Sequence, residues 1–396
     1  MKLRLWSGLI VTALMASAAA RFSVPLAAAE LANAEAEVAA LAPPNVVLVA
    51  LDGLRWQELF TGADASLINR DAGNVRDVAG LKERFWRDTP RQRRQQLMPF
   101  FWSQIAKAGI VFGDPAAVSY AALTNTRHFS YPGYSEMLCG FVDPAIDSNA
   151  KRNNPNVTVL EWLNQKPSFQ GQVAAFTSWD VFPYIINQQR SGVLVNAGWE
   201  PLADIFPSDE HSTPQRIAAR DRLAQLDHVA QQMPHVWDGV RYDYFTFRAA
   251  EEYVRIAKPR VLYLSLGETD DWAHEGRYDL YLDSAHRNDD YIRRLWTRMQ
   301  SMPQYHNNTT LILTTDHGRG DGRVSWKSHN RDIPGCERIW MAVLGPNLDT
   351  GAAQPQRVTL AQIAATVAAA VGEDFVRDHP QASPALPVFT ERVFTE

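Results

Sequence analysis

From residue 45 onward the chain switches repeatedly between short, continuous apolar runs and longer stretches with helical spacing. The runs are Asn45–Leu51, Ile110–Phe112, Val173–Thr177, Val193–Val195, Arg260–Leu266, Thr310–Thr315 and Trp340–Leu344. Several have no polar face, the pattern of strands buried on both sides in a parallel sheet. Helical spacing fills Met98–Ala108, Tyr242–Ile256 and Leu280–Met302. Thr213 followed by Pro214 reads as the cap and first position of another helix. Thr359 and Gln362 have capping-box spacing at the head of Thr359–Val371, which Gly372 stops. Strands alternating with helices predict an α/β fold, a three-layer α/β/α sandwich around a mostly parallel sheet, spanning 45–396. Two stretches break the rhythm, near 62–96 and 182–238, and are expected to be insertions that form a cleft.

The N-terminus follows another rule. Lys2 and Arg4 precede an apolar stretch from Leu5 to about Ala20, and small-residue exits follow it. This is the build of a secretory signal peptide, residues 1–20, with cleavage between 20 and 29. The run is shorter than the roughly 20 apolar residues of a membrane span. Residues 21–44, rich in Ala and Glu, read as a flexible leader. The expected location is periplasmic or secreted, in a bacterium, with no transmembrane domain once the signal is removed. Net charge is −5 with both signs interspersed, so the basic footprint of a nucleic-acid binder is missing. The one basic run, Arg84 to Arg94, reads as a solvated face. Two cysteines, Cys139 and Cys336, allow one disulfide without requiring it, and their spacing fits no zinc-thiolate finger.

In open α/β sheets ligands gather at the carboxyl ends of strands. There, Asp52-Gly53 follows the first run. Gly267-Glu268-Thr269-Asp270-Asp271-Trp272-Ala273-His274 follows another, and Asp316-His317-Gly318 a third, with His329 a little further on. One Asp after a strand is an ordinary turn residue. Three such ends, with three histidines close behind, bring carboxylates together that repel unless protons or cations compensate. Asp and His without thiolate suit zinc or manganese, and imidazole favours zinc. Asp270 and His274, four apart, fit one helical turn. In His128-Phe129-Ser130-Tyr131-Pro132-Gly133, Pro132 and Gly133 mark a turn and Tyr134–Leu138 the start of a helix. The Ser130 hydroxyl then sits at an electropositive helix start, either as a plain cap or as an anion-facing group.

Taken in order, Asp52-Gly53, Ser130-x-Pro132, Asp270-x-x-x-His274, Asp316-His317-Gly318 and His329 resemble the alkaline phosphatase superfamily. The likeness is to type I phosphodiesterases/nucleotide pyrophosphatases and to the phosphoglyceromutase-like metalloenzymes. It runs from about Asn45 to Gly372. It implies two divalent metal ions, one on Asp270, His274 and His329, the other on Asp52, Asp316 and His317 with the oxygen of Ser130. It also implies Ser130 as the nucleophile and Asn149, with Asn153 and Asn154 as neighbours, as the donor to a phosphoryl oxygen. The activity implied is hydrolysis of a small-molecule phosphoric ester, mono- or diester, through a phosphoseryl intermediate. Phosphoryl transfer or a mutase reaction is the alternative within the superfamily. A secreted metal-containing binding protein without catalysis, or a solute-binding protein, is the alternative outside it. Tyr134 stands where a sulfatase has arginine, against that branch. The 140 positions from Ser130 to Asp270 leave too little room for the large inserted domain of the mutase. Arg55, Arg127 and Lys327 are candidates for a second anionic group, and Glu268, Asp271 and Asp321 are carboxylates without an assigned ion.

Overall fold

The computed structural model describes residues 43–208, 212–351 and 357–390. The expected signal peptide and nearly all of the leader lie outside the described residues. Ten strands are present among them: β1 (Asn45–Leu51), β2 (Ile110–Phe112), β3 (Tyr120–Ala122), β4 (Val173–Thr177), β5 (Leu194–Ala197), β6 (Val261–Leu266), β7 (Thr309–Thr314), β8 (Arg338–Ile339), β9 (Met341–Leu344) and β10 (Arg357–Thr359). Seven make the central sheet in the order β2-β9-β7-β1-β6-β4-β5, and β10-β3-β8 make a small second sheet. β1 runs parallel to β6 and β7, and β4 parallel to β5 and β6. β9 alone reverses, antiparallel to β7 and β2.

Why the apolar runs are continuous is visible in β1. Val47, Val49 and Leu51 enter one apolar layer, while Val46, Leu48 and Ala50 enter the other. Successive strand residues point to opposite faces, so a strand covered on both sides must be apolar at every position. Six helices bear on the site: α1 (Ser130–Cys139), α2 (Pro214–Gln232), α3 (Asp243–Ala257), α4 (Glu268–His274), α5 (Tyr278–Gln300) and α6 (Gln362–Ala370). α3 and α5 cover the first face through Ala250, Val254, Leu282 and Ile292, and α1 and α6 cover the second through Met137, Leu138, Ile363 and Val367. The three-layer sandwich is therefore the observed architecture.

Thr213 caps α2 as its sequence predicts, its hydroxyl accepting from the Arg216 N–H at 3.3 Å. At α6 half of the capping box forms. The Thr359 N–H donates to Gln362 Oε1 at 3.0 Å, but Thr359 itself closes β10 and the helix starts at Gln362. Met98–Ala108 is not one α-helix. A π-turn over Phe101–Ile105 leads into Ala106–Ala108, and the Asp289 carboxylate of α5 accepts from the Phe100 and Phe101 N–H groups at its head. Pro132 and Gly133 lie inside the first turn of α1 rather than in a turn before it, a place where proline's missing N–H costs nothing. The stretch 182–238 contains β5, which joins the sheet at its edge, before α2 follows. In the basic run, Arg93 stacks on Trp86 and Arg94 on Trp102, so these stems pack on aromatic faces instead of standing in solvent. Cys139 and Cys336 are unpaired and buried. Among the described residues no helix is long and apolar enough to cross a membrane.

Candidate metal centre

The registers Leu51↔Leu266 and Ala50↔Thr314 align the carboxyl ends of β1, β6 and β7. Asp52, the head of α4 and Thr315-Asp316-His317 consequently leave the sheet side by side. Asp52, Asp316 and His317 offer ligand atoms within 4.8 Å of one another, and so do Asp270, His317 and His329. His274 joins them: its Nε2 lies 2.9 Å from His329 Nε2 and 3.1 Å from Asp270 Oδ2. His317 stands between the two groups, with Nε2 3.4 Å from Asp52 Oδ1, 3.4 Å from Asp316 Oδ2 and 3.7 Å from Asp270 Oδ1. All six Asp and His residues singled out as ligands thus meet at the carboxyl ends of these strands.

The chemistry of this set fits divalent cations. Asp52 Oδ1 and Asp316 Oδ2 are buried and carry no hydrogen bond, an arrangement that costs free energy unless a cation takes their lone pairs. His317 Nδ1 donates to the Gly318 carbonyl at 2.9 Å, and His329 Nδ1 to the His128 carbonyl at 3.0 Å. A carbonyl only accepts, so each ring carries a proton on Nδ1 and turns Nε2 inward, the orientation that metal ligation needs. Burial, then His317 alongside, pushes His329 well below the usual imidazole range, which keeps it neutral. Burial and the Asp270 charge push the Asp52 carboxyl well up, and burial and Asp52 do the same to Asp316. Asp270 goes the other way. Burial raises it, but the Arg319 guanidinium, the largest opposing charge, holds it well below the carboxylate range.

Ser130 opens α1, and its Oγ lies 3.3 Å from His317 Nε2. What allows the close approach is Gly133. A Cβ there would stand 2.4 Å from the Asp316 carbonyl oxygen. Gly133→Ala is expected to destabilise the protein by about 1–3 kcal/mol, because backbone must move to admit the methyl, and to weaken metal binding as α1 shifts against Asp316. Urea midpoints and metal titration check this; a variant with both unchanged would contradict the packing. Asn149 Oδ1 accepts from the Tyr131 N–H at 3.0 Å, fixing the amide beside Ser130 with Nδ2 free of hydrogen bonds to described residues. Asn154, by contrast, is fully buried and binds Ser135 and Cys139, so it faces the core.

Several supports lacked a sequence signal. The Tyr134 hydroxyl donates to Asp52 Oδ2 at 2.8 Å, and Thr269 Oγ1 to the Asp52 carbonyl at 2.5 Å. Glu136, wholly buried, accepts from Thr124 and from both the backbone and side-chain amides of Asn125. Asn125 in turn accepts from the N–H groups of Arg127 and His128. His128 is thereby held at φ 54°, a left-handed conformation unusual for a side chain of its size, with its carbonyl aimed at His329. Arg319 is fully buried and pairs with Asp270. Of the cationic candidates, Arg55 is locked on Glu58, while Lys327 and Arg127 are half-buried. Glu268 belongs to a buried network with Asp243, Ser284 and Arg287.

No protein-family model matches the sequence, and no curated protein does. Solved structures do. The chain superposes on wild-type alkaline phosphatase PafA with a TM-score of 0.52 at 10% identity, covering 84% of this chain and 96% of that one. It superposes on the lipoteichoic acid synthase LtaP from Listeria monocytogenes with a TM-score of 0.51 at 11% identity, covering 87% and 78%. Against Ps i-CgsB the TM-score is 0.50 at 15% identity, covering 86% and 75%. At these identities the likeness is one of fold: the chain has an alkaline phosphatase-like α/β fold.

Proposed function

We propose that this chain hydrolyses phosphoric esters with two divalent cations, zinc by preference and manganese as the second choice, and with Ser130 as nucleophile. The observation that carries the reading is the Ser130 hydroxyl at the start of α1, 3.3 Å from His317 Nε2, where two Asp/His groups meet. Asp270, His274 and His329 would hold one cation, and Asp52, Asp316 and His317 the other. Such a pair would supply Lewis acidity and neutralise charge on the attacking and leaving oxygens. Ser130 Oγ bonds to phosphorus as the alcohol departs, giving a phosphoseryl ester, and water then cleaves that ester; two in-line displacements retain configuration at phosphorus. The free Asn149 amide donates to a phosphoryl oxygen as charge develops there.

An alkaline phosphatase among the structural neighbours supports hydrolysis, and a synthase on the same fold keeps transfer to another acceptor as the second reading. The basic-then-apolar N-terminal stretch supports action outside the cytoplasm, on a small-molecule phosphoric ester. The test is hydrolysis of p-nitrophenyl phosphate, bis-p-nitrophenyl phosphate and p-nitrophenyl sulfate by zinc-loaded protein. Turnover of either phosphate is expected, and its ratio ranks monoester against diester. Asn149→Ala is expected to lower kcat on the order of 10²-fold. Turnover of the sulfate alone, or of nothing despite two bound ions, would move the assignment to the sulfuryl branch or to a non-catalytic binding protein.

A further inference from the structure

We propose that Arg319 is the positioning residue for the cation group Asp270, His274 and His329, fixing both Asp270 and the segment that leads to His329; the inference rests on the two-cation reading above. The residue is 1% exposed, and its guanidinium uses all three nitrogens inside the site. Nη1 pairs with Asp270 Oδ1. Nε donates to the Trp326 carbonyl at 3.0 Å and Nη2 to the Lys327 carbonyl at 2.5 Å, so the same plane holds the segment leading to His329. Arg319 itself follows His317 by two residues. The segment after Asp52 closes the fourth side: a Cβ on Gly53 would stand 2.8 Å from Nη1 and 2.6 Å from Asp270 Oδ1.

Only a planar fork with fixed donor directions makes these contacts at once; an ammonium on a flexible stem satisfies one of them. Pairing at Oδ1 leaves Asp270 Oδ2 facing His274, 3.1 Å away. Arg319 thus selects which carboxylate oxygen is available and where His329 stands. Arg55 is an instructive contrast. It is equally buried, but apart from a contact to the Gly320 carbonyl at 3.3 Å its guanidinium is spent on Glu58, and it pairs with no ligand. Partners that orient metal ligands change affinity by about 10- to 100-fold when removed.

The experiment is titration of the metal-stripped full chain with cobalt(II), read by its visible d–d absorption and by bound metal per chain. Wild type is expected to take two ions. Arg319→Met is expected to hold one ion as wild type does and the other about 10- to 100-fold more weakly. Arg319→Lys, which keeps the charge and fills most of the space, is expected to show the same selective loss. His274→Ala removes a ligand from the affected group, so combining it with Arg319→Met is expected to cost little beyond the single substitution. Unchanged or tighter binding in both Arg319 variants would overturn the proposal, the latter showing that Arg319 competes for Asp270. Equal weakening of both ions in a folded Arg319→Lys would reduce Arg319 to a general packing residue. Failure of wild type to bind two ions would instead sink the two-cation reading itself.

Discussion

Ser130→Ala is expected to lower turnover of any accepted phosphoric ester by on the order of 10⁴-fold or more, with both cations still bound. The substitution removes one oxygen from a nearly buried position at a helix start, where alanine is well tolerated. Among the described residues, the two hydroxyls that touch Asp52 are already engaged. Tyr134 is committed to Asp52 Oδ2, and Thr269 to the Asp52 carbonyl. The residual rate is then direct attack by water on an ester held by the same surroundings. kcat/KM on the two nitrophenyl phosphates, with metal content and melting temperature measured alongside, checks the expectation. A variant within tenfold of wild type and carrying both ions would remove Ser130 from the mechanism.

Stripping the metal is expected to abolish turnover and to lower stability by roughly 4 kcal/mol per ion at a thousandfold excess over Kd. The cause is the buried carboxylate set, whose Asp52 Oδ1 and Asp316 Oδ2 have no hydrogen-bond partner. The pH dependence follows from their direction of shift. In the metal-free protein both carboxyls are raised above the unfolded value of about 3.9. Folding then favours their protonated forms, and the metal-free protein loses stability as pH climbs from that value through the raised folded ones. Asp270, held low, contributes the opposite sign but is a single group. Cations must displace the protons on Asp52 and Asp316, so affinity rises with pH. The gap in melting temperature between loaded and stripped protein should therefore widen from pH 5 to pH 8. A gap that narrows over this range would mean those carboxylates do not bind the metal.

The legibility of the site in the sequence tracks how locally each feature is encoded. β1 and β6 are apolar at nearly every position, and β7 over Leu311–Leu313, because both faces are covered, and the polar residue that ends each run is where the sheet opens to ligand. That made Asp52, Asp270, Asp316 and His317 readable with no contact known. β3, β8 and β10 were not readable, since two or three residues show no period. Pro132-Gly133 misled for a physical reason. The pair usually marks a turn, but here proline fills a first helical turn and glycine answers the Asp316 carbonyl just beyond β7, a contact no local rule contains. Arg319 and Glu136 escaped likewise: a lone charge has no pattern until folding brings four segments around it.

The two ligand groups also differ in their access to solvent. The Asp316 and His317 side chains are 0% exposed, while that of His274 is 45% exposed. A cation held by the first pair would leave through local opening of the surrounding chain, on the slow timescale of local unfolding, whereas one beside His274 would exchange with the medium directly. Purified protein would then carry an inner ion set by its folding history and an outer one set by its last buffer. Specific activity would vary between preparations at constant protein quality, and brief incubation with metal would restore it without refolding.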